Sequence, residues 1–132
     1  MFKKLIWNSQ STTKDCGDFW EQQAAAFLAN QGASCLARNF SSRFGEIDLI
    51  VQDNEFIAFV EVKYRQSTTY GGAINAIPKQ KQQRIVKTAT FYLQKMKLNA
   101  YNTACRFDVV AIQGTKESPQ ITWLKDAFNG VQ

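Results

Sequence analysis

Three residues on two neighbouring apolar runs carry the chemistry available to this chain. Asp48 lies in Gly45-Glu46-Ile47-Asp48-Leu49-Ile50-Val51, and Glu61 and Lys63 lie in Phe56-Ile57-Ala58-Phe59-Val60-Glu61-Val62-Lys63. Side chains of an extended strand alternate between faces. Phe56, Ala58, Val60 and Val62 therefore form one apolar core face. Ile57, Phe59, Glu61 and Lys63 form the other, with Glu61 and Lys63 side by side. In the first run Ile47, Leu49 and Val51 share a face, and Glu46, Asp48 and Ile50 share its opposite. Asp53-Asn54 reads as the two-residue turn of a hairpin. That turn sets Val51 opposite Phe56, Asp48 opposite Phe59 and Glu46 opposite Glu61. Asp48 is then diagonal to Glu61 on the same surface, within reach of a shared ion. A three-residue turn would reverse the parity and put Asp48 among the valines, against the apolar pattern.

Phosphodiester hydrolysis calls for this combination. A metal polarises the phosphate and helps deprotonate a water, and magnesium takes one or two carboxylates together with waters and phosphate oxygens. Asp48 and Glu61 supply carboxylates, and the Val62 carbonyl is a third oxygen. Lys63, one strand period beyond Glu61, is placed to orient water or to neutralise developing charge. Two acids beside Ile50, Ile57 and Phe59 repel each other without a cation. E-x-K alone equally describes a solvated strand end, so the phased Asp48 is what favours a site. Glu21 borders the apolar stripe of a helix with Ala24, Ala25 and Leu28, from which an acid can reach over a sheet and join the metal shell through water. Lys79, Lys81, Arg84 and Lys87 crowd the start of a second helix, with Gln80 beside them. Arg38, Arg43 and Arg65 flank the candidate site in sequence. These are expected phosphate contacts that position a nucleic acid without reading its bases. Tyr64, Tyr70 and Phe44 are candidates for stacking on bases.

Composition narrows the alternatives. The chain has no histidine, which removes His-based acid–base chemistry and Ser-His or Cys-His nucleophiles. Three cysteines, Cys16, Cys35 and Cys105, have no C-x-x-C spacing and read as buried thiols. The formal net charge of +5 and a pI near 9.2 favour polyanionic partners. At 132 residues, one domain with a real hydrophobic core is expected. No apolar run approaches the roughly 20 residues of a membrane span. The opening Met1-Phe2-Lys3-Lys4-Leu5-Ile6-Trp7 is too short for a signal peptide. A cytoplasmic protein without a membrane partner is the expectation.

The elements that must position these residues follow in order. The polar stretch Asn8–Thr13 reads as loose. Asp15 or Asp18 caps a helix to about Asn30 with Phe19, Trp20, Ala24, Phe27 and Leu28 at helical spacing, stopped by Gly32. Strands follow at Ala33–Phe40, Gly45–Val51 and Phe56–Tyr64. A loop at Arg65–Ala76 contains Gly71-Gly72. A helix from Pro78 to about Lys97 has the stripe Ile85, Val86, Ala89, Tyr92, Leu93 and Met96. Arg106–Ile112 and Gln120–Leu124 read as closing strands. The predicted order α-β-β-β-α-β-β gives an α/β fold, a mixed β-sheet flanked by helices.

Gly45-Glu46-Ile47-Asp48-Leu49-Ile50 followed by Phe59-Val60-Glu61-Val62-Lys63-Tyr64-Arg65 resembles the YraN-type family of small bacterial proteins. That family is similar to archaeal Holliday-junction resolvases within the PD-(D/E)XK nuclease superfamily. Glu21-Gln22-Gln23-Ala24, Arg38-Asn39-Phe40, Lys81, Arg84 and Ala89, Arg106-Phe107-Asp108-Val109-Val110, and Asp126-Ala127-Phe128 extend the likeness over roughly residues 15 to 128. Asp48 follows Ile47 where the superfamily's name has proline, and the glycine-rich lead-in is reduced to Cys16-Gly17. The resemblance implies a restriction-endonuclease-like fold: a loose segment 1–14 and a single nuclease-like domain at 15–132. It also implies a metal-dependent endonuclease acting on DNA, with branched or structured DNA among its candidate substrates, Asp48, Glu61 and Lys63 as signature residues and Glu21 as the helical acid. Gln80 or Lys81 is an auxiliary residue. Mg2+, or Mn2+ in its place, is the implied cofactor, DNA the implied partner, and a homodimer fits cutting of both strands. The alternative on the same fold is a non-catalytic nucleic-acid-binding module.

Overall fold

The computed structural model describes residues 13–65 and 77–128. Within them the chain runs α1 (Thr13–Asn30), β1 (Ser34–Ser42), β2 (Gly45–Asp53), β3 (Phe56–Arg65), α2 (Lys79–Lys95), β4 (Cys105–Gly114) and β5 (Pro119–Leu124). The expected order α-β-β-β-α-β-β is what folds. One five-stranded sheet has its strands in sequence order, antiparallel except where β4 lies parallel to β3. A parallel neighbour needs a crossover, and α2 is that crossover. The N-terminal segment before Thr13 and the Gly71-Gly72 loop with Tyr70 lie outside the described residues, as does the Cys16 side chain. Among the described residues no helix is long and apolar enough to cross a membrane.

The α1 helix ends as its sequence requires. Gly32 has φ 97°, a conformation that costs a residue without Cβ little. Its N–H donates to the Ala29 carbonyl and that of Ala33 to Leu28, the paired bonds of a Schellman stop. Trp20, Ala24 and Leu28, at intervals of four, are the residues α1 buries. They meet Leu49, Val51, Ala58, Val60, Val110 and Ile112 on one face of the sheet. Trp20 also stacks on Tyr64 at 4.2 Å between ring centres.

The opposite face is covered too. Ile85, Ala89, Tyr92 and Leu93 of α2 pack on Ile47, Ile50, Ile57 and Phe59. The second face of the hairpin is therefore a second core, in keeping with the expected sheet flanked by helices. The unbroken apolar runs Leu49-Ile50-Val51 and Phe56–Val60 are the sequence signal for burial on both sides.

Two further expectations need correction. The hairpin turn is Asn54-Glu55: Asp53 pairs with Phe56 and Ile50 with Phe59, so the register is two residues from the one read off Asp53-Asn54. Asn54 takes the left-handed conformation at φ 56°. Asp53 stays in the strand because its carboxylate is held by Arg106 at 2.8 Å and Lys125 at 3.1 Å. Those partners hold the Asp53 carboxyl below the usual range. A slip of two preserves parity, so the face assignments from Leu49 onward survive it, whereas Ile47, expected on the face of Leu49 and Val51, lies on the other one. Cys35 is exposed and Cys105 only half-buried, so neither is a core thiol.

Candidate active site

Strand pairing opens the site. The register between β2 and β3 ends at Leu49 opposite Val60, while β3 continues alongside β4 to Arg65. On the other side of β2, the register with β1 runs from Arg38–Leu49 to Phe40–Ile47 and skips Asn39 and Asp48. Leu49 belongs to the core under α1 and Ile47 to the core under α2. The alternation is therefore broken across Asp48. Its Oδ2 accepts the Val62 backbone N–H at 2.8 Å. Strand N–H groups lie in the plane of the sheet, so the Asp48 carboxyl fills the notch where β2 and β3 part.

Glu61 stands at that notch with a side chain only 5% exposed. Glu21 comes over from α1. Burial raises its carboxyl above the usual range, and Asp18 adds to this. Hydrogen bonds to Asn39 and Asp48, together with the Arg38 charge, oppose the rise. One Glu21 oxygen, Oε1, is buried without a hydrogen-bond partner. Asp48 is displaced most: burial first, then the Glu61 and Glu21 charges, push it up to about 8 against the pull of Val62 N–H and Lys81. Three carboxyl groups thus share a space with too little positive charge to ionise all of them at neutral pH.

Lys81 enters from the first turn of α2. Its Nζ is 2.5 Å from Glu61 Oε2. Desolvation lowers its proton affinity, but the bond to Glu61 and the charges of Glu61 and Asp48 outweigh this and raise it. The first turn of α2 contains no acid and is preceded by Pro78. Lys81, in the first turn and so at the positive end of the helix, brings its ammonium to the acidic hollow.

The sequence-derived residues separate into groups. Glu21, Asp48, Glu61 and the Val62 backbone converge, with Arg38 acting on Glu21 through its charge. Lys63 continues on the Glu61 side of β3, in register with Ala111, half-buried and without a hydrogen-bond or ion-pair partner among the described residues. Lys81, read as a phosphate contact, is in the site itself. Lys79, Gln80 and Arg65 are exposed at the neighbouring ends of α2 and β3. Arg84 acts on Lys81 through its charge. Arg43 lies elsewhere, in a cleft against the outer side of α2. Sequence reasoning missed Asn39, which has φ 51° and bonds Glu21. An Asn in the middle of a strand is its only local signal, since Asn tolerates that conformation better than most residues.

The donor set suits a hard divalent cation. Asp48 and Glu61 are oxygen donors whose mutual repulsion a cation relieves, and the orphaned Glu21 Oε1 is an acceptor for a water on that cation. Among the described residues no three His, Cys, Asp or Glu side chains gather tightly enough to enclose a metal alone. An ion here would use two carboxylates and complete its shell with waters and substrate oxygens, as magnesium commonly does.

Known proteins are similar to this sequence. Residues 20–112, which include Glu21, Asp48, Glu61, Lys63 and Lys81, match the family described as "Uncharacterised protein family UPF0102". A "UPF0102 protein" of Colwellia psychrerythraea strain 34H is 48% identical over 129 residues, covering 94% of this chain and 100% of that protein. A "UPF0102 protein YraN" of Escherichia coli strain SMS-3-5 is 42% identical over 120 residues, covering 91% of this chain and 88% of that one. A solved structure described as "Crystal structure of SSO0001" aligns with a TM-score of 0.42 and 13% identity, over 91% of this chain and 55% of the other. The chain spans about half of that structure's length.

Proposed function

The chain belongs to the uncharacterised protein family UPF0102, and from the geometry of its site we propose that it is a divalent-metal-dependent nuclease hydrolysing phosphodiester bonds in DNA. The observation that carries this reading is the crowding of Glu21, Asp48 and Glu61 into one notch, where the Asp48 carboxyl is pushed up to about 8. Such a concentration of acid is unfavourable in the free protein and becomes favourable when a cation binds.

Asp48 and Glu61 would hold the ion, with the Val62 carbonyl as a further donor, and Mg2+ or Mn2+ suits them. Bound there, a divalent cation supplies Lewis acidity toward a phosphate oxygen and toward a water. The protein's own residues do the rest. Val62 N–H fixes the Asp48 carboxyl. Asn39 fixes Glu21, whose free oxygen orients a water. Lys63, unpaired and one strand period beyond Glu61, offers its ammonium to the water or to charge growing on the phosphate. Lys81 neutralises Glu61 in the free protein, and with Lys79 and Arg38 it gives the mouth of the notch a positive rim that attracts a phosphate backbone.

A second reading rests on one contact. The Lys81–Glu61 pair places an ammonium where a cation is needed. A chain that relied permanently on that ammonium would bind nucleic acid without cutting it.

A cleavage assay separates the two. Linear, flapped and four-way-junction DNA and a structured RNA are incubated with magnesium, manganese or chelator. The expected result is metal-dependent cutting of at least one DNA, with Lys63→Ala slower by roughly 100-fold. Salt-sensitive binding indifferent to divalent ions, with every substrate left intact, would instead establish the second reading.

A further inference from the structure

A second feature faces solvent along α2. Between the turn joining β1 to β2 and the outer side of α2 lies a cleft of about 910 Å³, lined in part by Arg43, Phe44, Lys87, Thr90, Phe91 and Gln94. Among the described residues no acidic one lines it. The Arg43 guanidinium lies 5.1 Å from the Phe44 ring centre and the Lys87 ammonium 5.6 Å from it. Both cations are thus held on an aromatic ring, and neither has a carboxylate partner among the described residues. Phe91 is 42% exposed, a large apolar ring left open to water. Its inner side rests on Phe40, with centres 6.0 Å apart and planes at 35°. Gln94, one turn beyond Thr90, adds an exposed amide.

We propose that this cleft takes an unpaired nucleotide of a DNA strand, the base against Phe91 and the adjoining phosphate on Arg43 and Lys87. The charge of the walls selects an anion, and the open ring selects something flat and aromatic. A nucleotide combines both, and base–aromatic stacking with cationic backbone contacts is how single strands are held. Placement on α2 links the cleft to the notch. Lys81, Arg84, Lys87 and Phe91 follow one another at intervals of three and four residues along one side of the helix. At 1.5 Å per residue, Lys87 is about 9 Å and Phe91 about 15 Å along the axis from Lys81. A strand crossing the notch continues into the cleft if its next nucleotides are unpaired. The inference rests on the nuclease reading for its substrate class, which it narrows to DNA with a single-stranded portion.

The test is binding measured by fluorescence anisotropy in chelator, so that cleavage does not enter. The probes are an oligothymidine, a duplex with a single-stranded flap, and a blunt hairpin duplex. Phe91→Ala is expected to weaken oligothymidine and flap binding by roughly 5- to 100-fold, to leave the blunt hairpin within two-fold, and to be rescued by Phe91→Trp. Lys87→Gln is expected to lower the salt slope on oligothymidine by about 0.7. An unchanged oligothymidine affinity in Phe91→Ala would overturn the proposal, as would equal losses on all three probes. So would thymidine monophosphate competing as well as the oligomer, which would make the cleft a site for free nucleotides, or a dimer in sedimentation that Phe91→Ala dissolves. Failure here leaves the cleavage reading standing. A chain that binds in this way and cuts nothing would retire the cleavage reading alone.

Discussion

Asp48→Asn is expected to lose the proposed cleavage by roughly a thousand-fold and, in chelator at pH 8, to melt at a higher temperature than the wild type. Both effects come from the same carboxyl group. On the proposed reading it supplies a charged oxygen to the cation, which the amide does not, so the rate is expected to fall. Without the cation that charge is a burden. The folded carboxyl titrates near 8 because burial and the neighbouring Glu61 and Glu21 disfavour ionisation, whereas an unfolded aspartate titrates near 3.9. Below about pH 4 both states hold the proton and the group makes no difference. Between there and about pH 8 the folded chain keeps a proton that the unfolded chain has lost. Metal-free stability therefore falls as pH rises across that window, and the full penalty applies above it. Asparagine is neutral throughout and still offers Val62 N–H an acceptor, so its advantage is absent at acid pH and grows toward pH 8. Each kcal/mol gained corresponds to roughly 2–8 °C in melting temperature. Magnesium is expected to narrow or reverse the difference, because on the proposed reading the wild type gains more stability from binding it. Equal cleavage by the two proteins, or a less stable variant in chelator at pH 8, would contradict this account of the notch.

The second large effect concerns stability alone. Asp108 has no solvent exposure. Its Oδ1 accepts from Arg106 Nε at 3.0 Å and from the Asp126 backbone N–H at 2.9 Å. Its Oδ2 accepts from Arg106 Nη2 at 3.0 Å and from Trp123 Nε1 at 2.9 Å. Arg106 Nη2 also bonds Asp53, so the network ties β4 to the chain after β5 and to the end of β2. Asp108→Ala leaves the largely buried Arg106 guanidinium with Asp53 as its remaining carboxylate and strands the Trp123 indole N–H and the Asp126 backbone N–H. Removing one partner of such a pair costs about 3–5 kcal/mol, a large part of the 5–15 kcal/mol by which domains are stable. The expected result is a melting temperature lower by roughly 10 °C or more, with Asp108→Asn, which retains an acceptor, falling between. A change of only 1–2 °C in Asp108→Ala would mean that the network contributes little.

These two aspartates mark what the sequence discloses and what it hides. Local periodicity reveals both helices, all five strands and the faces of the hairpin from Leu49 onward, because burial stamps a repeat of two or of about four on a short run of residues. It also sets Glu61 and Lys63 side by side and brings Asp48 to the same end of the sheet. What it misses is held by partners distant in sequence. Asp53 looks like a turn residue until Arg106 and Lys125 claim its carboxylate and move the turn on by one residue. Lys81 reads as one of several surface lysines until α2 lays it against Glu61. Asp108 lies within an apolar strand pattern, and its burial is intelligible only with Trp123 beside it. The change of facing at Asp48 depends on Asn39 in the neighbouring strand, and no pattern within either strand announces it.

Titration with manganese, followed by electron paramagnetic resonance of the free ion, tests most directly whether the notch is a cation seat. The wild type should take up one ion per chain, magnesium should compete for it, and the double variant Asp48→Asn, Glu61→Gln should take up none while remaining folded. Uptake by the double variant equal to that of the wild type would place the ion elsewhere and remove the chemical basis for cleavage at this site.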